Sequence, residues 1–339
     1  MFLFVILVGI LSLVGLQRQE KARNWLDRDT TAAVNGVFVL LIFLSHSTQY
    51  LDLSHGLLNK LYLLFQSAHK QLVVTTFLAF SGYGIMEQIQ KRRENYLKTF
   101  PKDRILKTII HFDIAILLYL IVNWLFIGKT YPLQQIVLAL IGWEAVGNSN
   151  WYIFSILMMY LFTWISWKQC SDFNGIPKRV ALLSLGYIIV MWLFKRPTRF
   201  TSTILCYSFG MYMSLYKEDM RAIVDKHKYV PVLISALVLI ATLIVRKNPV
   251  FMNIHSIAFI TIVVWCLKYI RIRNPILLWL DNLSFSIYIL QRLPMNVFNK
   301  YQLEWYIFVP LRLAITIIIA TIFEKLLTRV DKVFFPKTI

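Results

Sequence analysis

Long apolar stretches separated by short polar segments run along almost the whole chain of 339 residues. A helix needs about 20 apolar residues to cross a bilayer, so stretches of this length predict transmembrane helices. They cover residues 1–16, 31–50, 63–86, 108–127, 151–167, 180–194, 200–216, 229–245, 250–267, 276–291 and 304–324. The pattern therefore predicts an all-α, polytopic membrane bundle of about 11 transmembrane helices, most of them near bilayer length.

The first stretch and one later segment are shorter than a bilayer requires. Residues 1–16 have no basic segment before them and no small-residue cleavage site after them. This favours a retained helix, accommodated by local thinning of the bilayer, over a signal peptide. Residues 131–150 are apolar over only about 14 positions, so we predict an interfacial or re-entrant element on the outer side.

Composition supports a membrane protein and changes how the net charge is interpreted. The chain is 58% apolar and 16% charged, with a mean hydropathy of +0.61. A formal net charge of +19 would indicate nucleic-acid binding in a soluble protein. Here the basic residues lie in short clusters between apolar stretches, where they set membrane orientation. We therefore predict contact with the lipid bilayer and no nucleic-acid partner.

Lys and Arg are distributed unequally between alternate loops. With residues 17–29 placed in the cytoplasm, the cytoplasmic loops hold 25 of them and the opposite loops hold ten. Cytoplasmic loops carry the excess of basic residues in membrane proteins. The bias predicts a multi-pass protein of the cell membrane with its N-terminus outside and its C-terminus in the cytoplasm.

The expected organisation is one membrane domain at residues 31–330. An additional N-terminal helix at 1–16 and a cytoplasmic basic loop at 17–30 precede it, and a cytoplasmic tail at 331–339 follows. The sequence has no internal repeat and no long linker. The three cysteines, Cys170, Cys206 and Cys266, lack the spacing of a metal site, so no metal is predicted.

The apolar stretch 31–50 carries one ionisable residue, His46, with Asn35 eleven positions before it. Burying an ionisable side chain in a membrane costs free energy, which makes His46 a functional-site candidate. At 1.5 Å per residue the two side chains are about 16 Å apart, with Asn35 near the cytoplasmic surface and His46 in the outer half. His46 suits a general base that removes a proton from a hydroxyl. The structural alternative is a histidine hydrogen-bonded to a carbonyl or to Ser45.

Two further groups lie near the predicted cytoplasmic surface. Ser81 and Gly82 permit the close approach of a ligand or of another helix. Arg104 and Lys107 stand at i and i+3 on one helical face, where two cations suit phosphate groups. Helix packing for the glycine and membrane anchoring for the cations explain the same residues equally well.

Polar and aromatic residues also mark the predicted outer half. The start of stretch 151–167 combines amides with aromatic rings, which suit a sugar or form a helix cap within an aromatic belt. In stretch 276–291, three polar side chains at i, i+4 and i+7 share one face. Arg312 in the last stretch must find an anion, a carbonyl or a water-filled cavity. The group at the start of stretch 151–167 is Asn148, Asn150, Trp151 and Tyr152. The group in stretch 276–291 is Ser284, Tyr288 and Gln291.

In this order the motifs resemble the membrane acyltransferase family called acyltransferase 3, whose members include O-acetyltransferases of bacterial polysaccharides. The resemblance covers about residues 31–330 and leaves the first helix as an addition to the family's ten crossings. It is carried by His46, by Ser81 with Gly82, by the basic pair after them, and by GNSNWYIF, CYSFGMYMSLYK and LSFSIYILQ. Two positions depart from the family pattern. Asn35 stands where the family has an arginine, and Gln291 where many members have a second histidine.

The resemblance implies an O-acyltransferase with acetyl-CoA, or another acyl-CoA, as its co-substrate and no permanently bound cofactor. The acceptor would be a hydroxyl of a carbohydrate or glycolipid on or near the outer face. His46 would act as general base, and Tyr288, Gln291 or Ser284 would donate to the oxyanion. The residues expected at the donor are Asn35, Ser81, Gly82, Arg104 and Lys107, and those expected at the acceptor are Asn148, Asn150, Trp151, Tyr152, Ser284 and Arg312.

Two other functions stay open on the sequence. A transporter or flippase of a lipid-linked glycan would also have many helices and a buried arginine, although the sequence lacks the repeats and paired broken helices typical of transporters. A catalytically inactive relative in a glycan assembly complex would fit the loss of the family arginine at Asn35. The acceptor, the acyl chain length and the oligomeric state are open as well.

Overall fold

The computed structural model describes residues 1–18, 26–69, 71–170, 172–301 and 304–336. Almost all regular structure in these ranges is helical, and one short antiparallel pair joins β1 (Leu16–Arg18) to β2 (Ile270–Ile272). The helices are α1 (Phe2–Leu13), α2 (Arg28–Ser47), α3 (Leu57–His69), α4 (Leu72–Arg92), α5 (Glu94–Phe100), α6 (Lys107–Val122), α7 (Leu133–Leu140), α8 (Trp151–Gln169), α9 (Gly175–Leu193), α10 (Leu205–Leu215), α11 (Lys217–Lys226), α12 (Val230–Thr242), α13 (Pro249–Tyr269), α14 (Pro275–Asn282), α15 (Ser284–Leu290), α16 (Arg292–Phe298) and α17 (Trp305–Phe334).

The described residues contain 6 helical segments that are long and apolar enough to cross a membrane. These are Arg28–Tyr50, Leu57–Arg92, Glu94–Ile127, Gly175–Leu193, Pro249–Tyr269 and Trp305–Phe334. Each contains most of one predicted stretch, so the prediction of an all-α membrane protein is confirmed. The remaining predicted stretches also form helices, at α1, α8, α10, α12 and α14 with α15, and the count of eleven crossings stays a prediction.

Some boundaries differ from the predicted stretches. The stretch 276–291 is divided at Leu283 into α14 and α15, and in the stretch 200–216 the helix begins only at Leu205. Short polar groups stand at both places, Asn282 and Ser284 around the first break and residues 201–203 before Leu205, but each stretch as a whole is apolar enough to predict one helix. At the C-terminus, α17 continues to Phe334, four residues into the predicted tail.

The segment 131–150 does not cross the bundle. Its helix α7 has 8 residues, about 12 Å, which is too short for a bilayer. The loop after it folds onto the start of α8, where the Asn150 Nδ2 donates to the carbonyl oxygens of Gly142 at 2.8 Å and Trp143 at 3.2 Å. Arg196, which follows α9, holds the same loop through an ion pair with Glu144, at 3.0 Å.

Small residues set two of the closest helix contacts. A Cβ atom on Gly82 of α4 would collide with the Tyr207 carbonyl oxygen of α10, and one on Gly210 would collide with the Ala79 carbonyl oxygen. Small residues let helix backbones approach in this way in membranes. A reciprocal pair of glycines therefore allows close contact between α4 and α10, and α4 also lines the cavity described next.

Two ends of the bundle are distinguished below. The His46 end contains the last turn of α2, the loop before α8 and the junction of α15 with α16. The Arg104 end contains the last turn of α4, α5, the start of α6 and the last turns of α17.

Candidate active site

A cavity of about 110 Å³ lies among α2, α4, α8 and α15. Most of its wall is apolar, and its polar side chains are two tyrosines and one serine. It is lined by Val39, Ile42, Val74, Phe77, Tyr152, Ser284, Phe285 and Tyr288. We call it the apolar cavity.

One face of α2 follows this cavity. Asn35, Val39, Ile42 and His46 are spaced at i, i+4, i+7 and i+11, so their side chains form a single stripe along the helix. The middle two residues line the apolar cavity. The cavity therefore lies along α2 between Asn35 toward one end of the helix and His46 toward the other.

His46 and Tyr288 come together at the His46 end of the cavity. Their ring centroids are 6.3 Å apart, and the Tyr288 ring is 5.3 Å from that of Tyr152. Tyr288 is only 7% exposed. The His46 Nδ1 and the Tyr288 hydroxyl are both buried without a hydrogen-bond partner in the described parts of the chain. A buried polar atom without a partner costs about 1–3 kcal/mol, so these atoms are expected to serve a ligand.

Gln291 and Ser284 flank Tyr288 along the chain but occupy different surroundings. Gln291 is completely buried, and its Nε2 donates to the Tyr288 carbonyl oxygen at 3.0 Å. Its Oε1 has no partner among the described residues. Ser284 lines the cavity one helical turn from Tyr288. Of the three predicted oxyanion donors, Tyr288 is the one whose donor group is buried and makes no hydrogen bond to another described residue.

A second layer of polar side chains covers His46. The Arg292 Nε donates to the Ser149 Oγ at 2.8 Å, and its Nη2 donates to the Gln49 Oε1 at 2.8 Å. The Tyr50 hydroxyl donates to the Asn296 Oδ1 at 2.6 Å. These contacts tie α2, α16 and the loop before α8 together above the histidine.

The sequence reasoning missed this layer because Arg292 was counted only as a loop charge. A usable signal was present. Tyr50 follows His46 by four residues, and Tyr288, Arg292 and Asn296 repeat every four residues, so each set continues one helical face outward from the cavity.

Two more arginines approach the same end. Arg312 of α17 is completely buried, its guanidinium carbon is 5.6 Å from the Tyr50 ring centroid, and none of its three nitrogens has a partner in the described ranges. Arg199 is exposed and lies within electrostatic range of His46, Tyr288 and Arg292. The sequence did not mark Arg199 as a site candidate, because it lies in a predicted loop and belongs to none of the polar motifs within the apolar stretches.

The predicted sugar-binding segment before α8 has mixed roles. Asn148 accepts from the Val146 N–H at 2.9 Å and Asn150 is occupied by backbone carbonyls, so both amides hold the loop. The Trp151 ring packs edge-to-face on Tyr152 at 6.0 Å. Tyr152 is the member of the group that reaches the apolar cavity.

At the Arg104 end, a tyrosine lies between two arginines. The Arg104 Nε donates to the Tyr96 hydroxyl at 2.9 Å, and the Arg92 guanidinium carbon is 5.1 Å from the Tyr96 ring centroid. Nearby, the Ser81 Oγ is 3.3 Å from the Tyr160 hydroxyl. No carboxylate pairs with Arg104 among the described residues.

Lys107 has a different environment from Arg104. Its Nζ is 2.5 Å from the Asp331 Oδ2, and the other oxygen of that carboxylate is 2.8 Å from the His111 Nε2. Asp331 of α17 therefore neutralises Lys107. The two cations that the sequence grouped as one phosphate site have different partners.

Asn35 lies where a carboxylate approaches α2. Its side chain interacts with Asp281 of α14, while its Oδ1 is buried without a hydrogen-bond partner in the described residues. The neighbouring Gly36 lets α14 pack against α2, since a Cβ there would collide with the Leu277 carbonyl oxygen.

Comparison with known proteins identifies the family of this chain. A family model described as "Acyltransferase domain" matches residues 24–328 of the 339. No match to a curated protein was found, and no solved structure matched the chain. The family match covers the apolar cavity, His46 and both ends of the bundle. The chain therefore belongs to the acyltransferase 3 family of membrane acyltransferases.

Proposed function

We propose that the protein moves an acetyl group from acetyl-CoA to a hydroxyl of a cell-surface or lipid-linked glycan. One observation carries the proposal: in a chain of a membrane acyltransferase family, Tyr288 lines the apolar cavity, its ring lies 6.3 Å from that of His46, and buried polar atoms of both side chains have no partner among the described residues. A general base and a hydrogen-bond donor close to each other beside a cavity are what acyl transfer requires.

The proposed reaction is direct transfer. His46 removes the proton of the acceptor hydroxyl as its oxygen attacks the thioester carbonyl carbon. Tyr288 donates a hydrogen bond to the carbonyl oxygen, where negative charge develops. As the new C–O bond is completed the C–S bond breaks, and His46 returns the proton to the sulfur of CoA. The products are the O-acetyl ester and free CoA.

The donor is expected to approach from the Arg104 end. Arg92 and Arg104 flank the Tyr96 ring, so they provide cations for phosphate groups beside an aromatic face for a base. The apolar wall of the cavity suits the uncharged arm that carries the thioester. The excess of Lys and Arg in the loops assigned to this side supports a cytoplasmic location for it, where acetyl-CoA is made.

The experiment compares surface glycans from cells with the wild-type protein, with His46→Ala, and without the gene. Mass spectrometry should find O-acetyl groups only with the wild-type protein. Immunoblotting of membranes controls for equal protein levels. Unchanged O-acetylation with His46→Ala would show that His46 is not the general base. Loss of glycan export without loss of acetyl groups in cells lacking the gene would favour a flippase.

Purified protein supplies the second test. With radiolabelled acetyl-CoA and a glycan acceptor, the wild-type protein should form a labelled, alkali-labile ester. A protein that binds acetyl-CoA but acylates no glycan, while its deletion removes acetyl groups from the cell surface, would be an inactive assembly partner.

A further inference from the structure

Three arginines lie at the His46 end, and none is paired with a carboxylate in the described part of the chain. They are Arg199, Arg292 and Arg312, called the arginine cluster below. The described carboxylates nearest in sequence to this end do not pair with these arginines: Glu144 pairs with Arg196, Asp52 accepts from the Ser54 N–H at 3.0 Å, and Glu304 is exposed at the start of α17. No ion pair with a described carboxylate therefore neutralises the arginine cluster.

Arg292 is held in place by neutral groups. Ser149 and Gln49 each accept one of its hydrogen bonds at 2.8 Å, which leaves other guanidinium N–H groups uncommitted. Two bonds from different chain segments fix the plane of the guanidinium. A fixed guanidinium with spare donors is suited to bidentate binding of phosphate or carboxylate.

Arg199 brings a second positive charge to the same place. It lies within electrostatic range of Arg292 as well as of His46 and Tyr288. The residue after Arg199, Phe200, is held to α8 because its carbonyl oxygen accepts from the Ser155 Oγ at 3.3 Å. Two like charges within electrostatic range repel each other, and an anion bound between them would be attracted to both.

Arg312 extends the cluster inward. It is completely buried, its guanidinium lies against the Phe308 ring and 5.6 Å from the Tyr50 ring centroid, and Tyr50 in turn lies within electrostatic range of Arg292. A buried guanidinium without a hydrogen-bonded partner is costly in a membrane protein, and such residues face ligands or water-filled cavities. Its position indicates that the polar layer above His46 is built for negative charge.

We propose that the acceptor is an acidic glycan or polyol, with a phosphate or carboxylate close to the hydroxyl that is acylated, and that Arg292 and Arg199 bind this anion. This inference rests on the proposed function and specifies its acceptor. The anion positions the acceptor so that its hydroxyl meets His46. Neutral glycans lack this contact and bind less tightly.

The experiment measures acyl transfer in nanodiscs of phosphatidylcholine, a lipid without net charge. Radiolabelled acetyl-CoA is offered with three acceptors of equal length: a neutral hexose oligosaccharide, the same oligosaccharide with one phosphate, and the same with one uronic acid. We expect kcat/KM to be at least about tenfold higher for an acidic acceptor, or about 1.4 kcal/mol, mainly through a lower KM, because a charge-assisted bidentate contact favours its binding.

Variants connect this preference to the cluster. Arg292→Gln and Arg199→Gln should each reduce the ratio of acidic to neutral kcat/KM, while Arg292→Lys and Arg199→Lys should retain part of it. Lys247→Gln is the matched control, because Lys247 is an exposed cation in the loop between α12 and α13. It should leave the ratio unchanged. Thermal unfolding of each purified variant separates loss of binding from loss of fold, and the Lys variants keep the test valid if the Gln variants unfold.

The outcomes separate this inference from the proposed function. Equal or faster acylation of the neutral acceptor by the wild-type protein would overturn the inference and leave the acyltransferase proposal standing. If the protein binds acetyl-CoA but acylates none of the three acceptors, the proposed function itself is contradicted. If phosphatidylglycerol in the nanodiscs abolishes the preference for acidic acceptors, the cluster binds lipid headgroups and the inference is wrong.

Discussion

The two ends of the bundle treat their positive charges differently. At the Arg104 end, carboxylates take up several cations: Asp331 pairs with Lys107 at 2.5 Å, and Glu87 pairs with Lys217 at 3.0 Å. At the His46 end, Arg292 is bound by the neutral side chains of Ser149 and Gln49. Arg104, like Arg292, has no carboxylate partner among the described residues, so the difference lies in the other cations: Lys107 and Lys217 are neutralised at the Arg104 end, and the arginine cluster at the His46 end is not.

This difference shows that counting charges and locating anion sites are separate problems. The number of Lys and Arg residues in a loop reports membrane orientation, whatever their partners are. Whether a cation binds an external anion depends on what the fold places beside it. Substitutions of individual residues at the two ends test whether the two sets of cations differ in function.

The largest effect among these predictions is expected for Tyr288→Phe. Removal of one donor to an oxyanion lowers kcat by about 100-fold or more. Tyr119→Phe is the matched control, because the Tyr119 hydroxyl is committed to the Ile289 carbonyl oxygen of α15 at 2.9 Å and Tyr119 is not among the residues that line the apolar cavity. Initial rates of acetyl transfer measure both. Equal kcat for the two variants would show that Tyr288 is a packing residue.

Arg104→Gln and Lys107→Gln compare a cation bound by a phenol with one bound by a carboxylate. We expect Arg104→Gln to raise the KM for acetyl-CoA about tenfold, since a charged hydrogen bond contributes about 1.5–3 kcal/mol. Lys107→Gln should raise it by less than about threefold, because Asp331 already neutralises that ammonium group. Steady-state kinetics with varied acetyl-CoA concentration measure both KM values. A larger increase in KM with Lys107→Gln than with Arg104→Gln would indicate that Lys107 binds the phosphates.

Gly82→Ala tests whether this glycine serves helix packing. Its Cβ would collide with the Tyr207 carbonyl oxygen, so the substitution should lower the free energy of unfolding by about 1–3 kcal/mol. Gly84→Ala in the same helix is the control, because a Cβ there meets no atom within 4 Å. Unfolding in detergent measures both. Equal stability combined with a raised KM for acetyl-CoA would instead indicate a donor-binding role.

Asn35→Arg is expected to have the smallest effect. The new guanidinium would lie beside Asp281, which would neutralise it, so the KM for acetyl-CoA should change by less than about threefold. Asn35→Ala should behave similarly. A decrease in KM of tenfold with Asn35→Arg would show that this end of α2 contacts the donor directly.

The helices and the choice of His46 as a site candidate both depend on local pattern; the structure confirms the helices, and the role of His46 stays a prediction. Apolar stretches of bilayer length identify spans, and one ionisable side chain within such a stretch is conspicuous. The partners were not predictable in this way. Asp331 and Lys107 are 224 positions apart along the chain, and no local spacing connects them.

The structure also divides groups that the sequence treated as units. Asn150 and Tyr152 belong to one polar-aromatic motif, yet Asn150 caps a loop and Tyr152 lines the cavity. Side chains two apart on a helix point in different directions, so membership of a motif does not decide contact with a ligand. The break at Leu283 lies between Asn282 and Ser284, and so short a polar interruption does not distinguish two helices from one.

The central claim is that the His46 end performs acyl transfer with His46 as general base. The rate of transfer from radiolabelled acetyl-CoA by purified His46→Gln protein tests it most directly, beside a binding measurement for acetyl-CoA on the same preparation. The account predicts that kcat falls by at least about 100-fold while the donor still binds. A kcat within threefold of the wild-type value would contradict it.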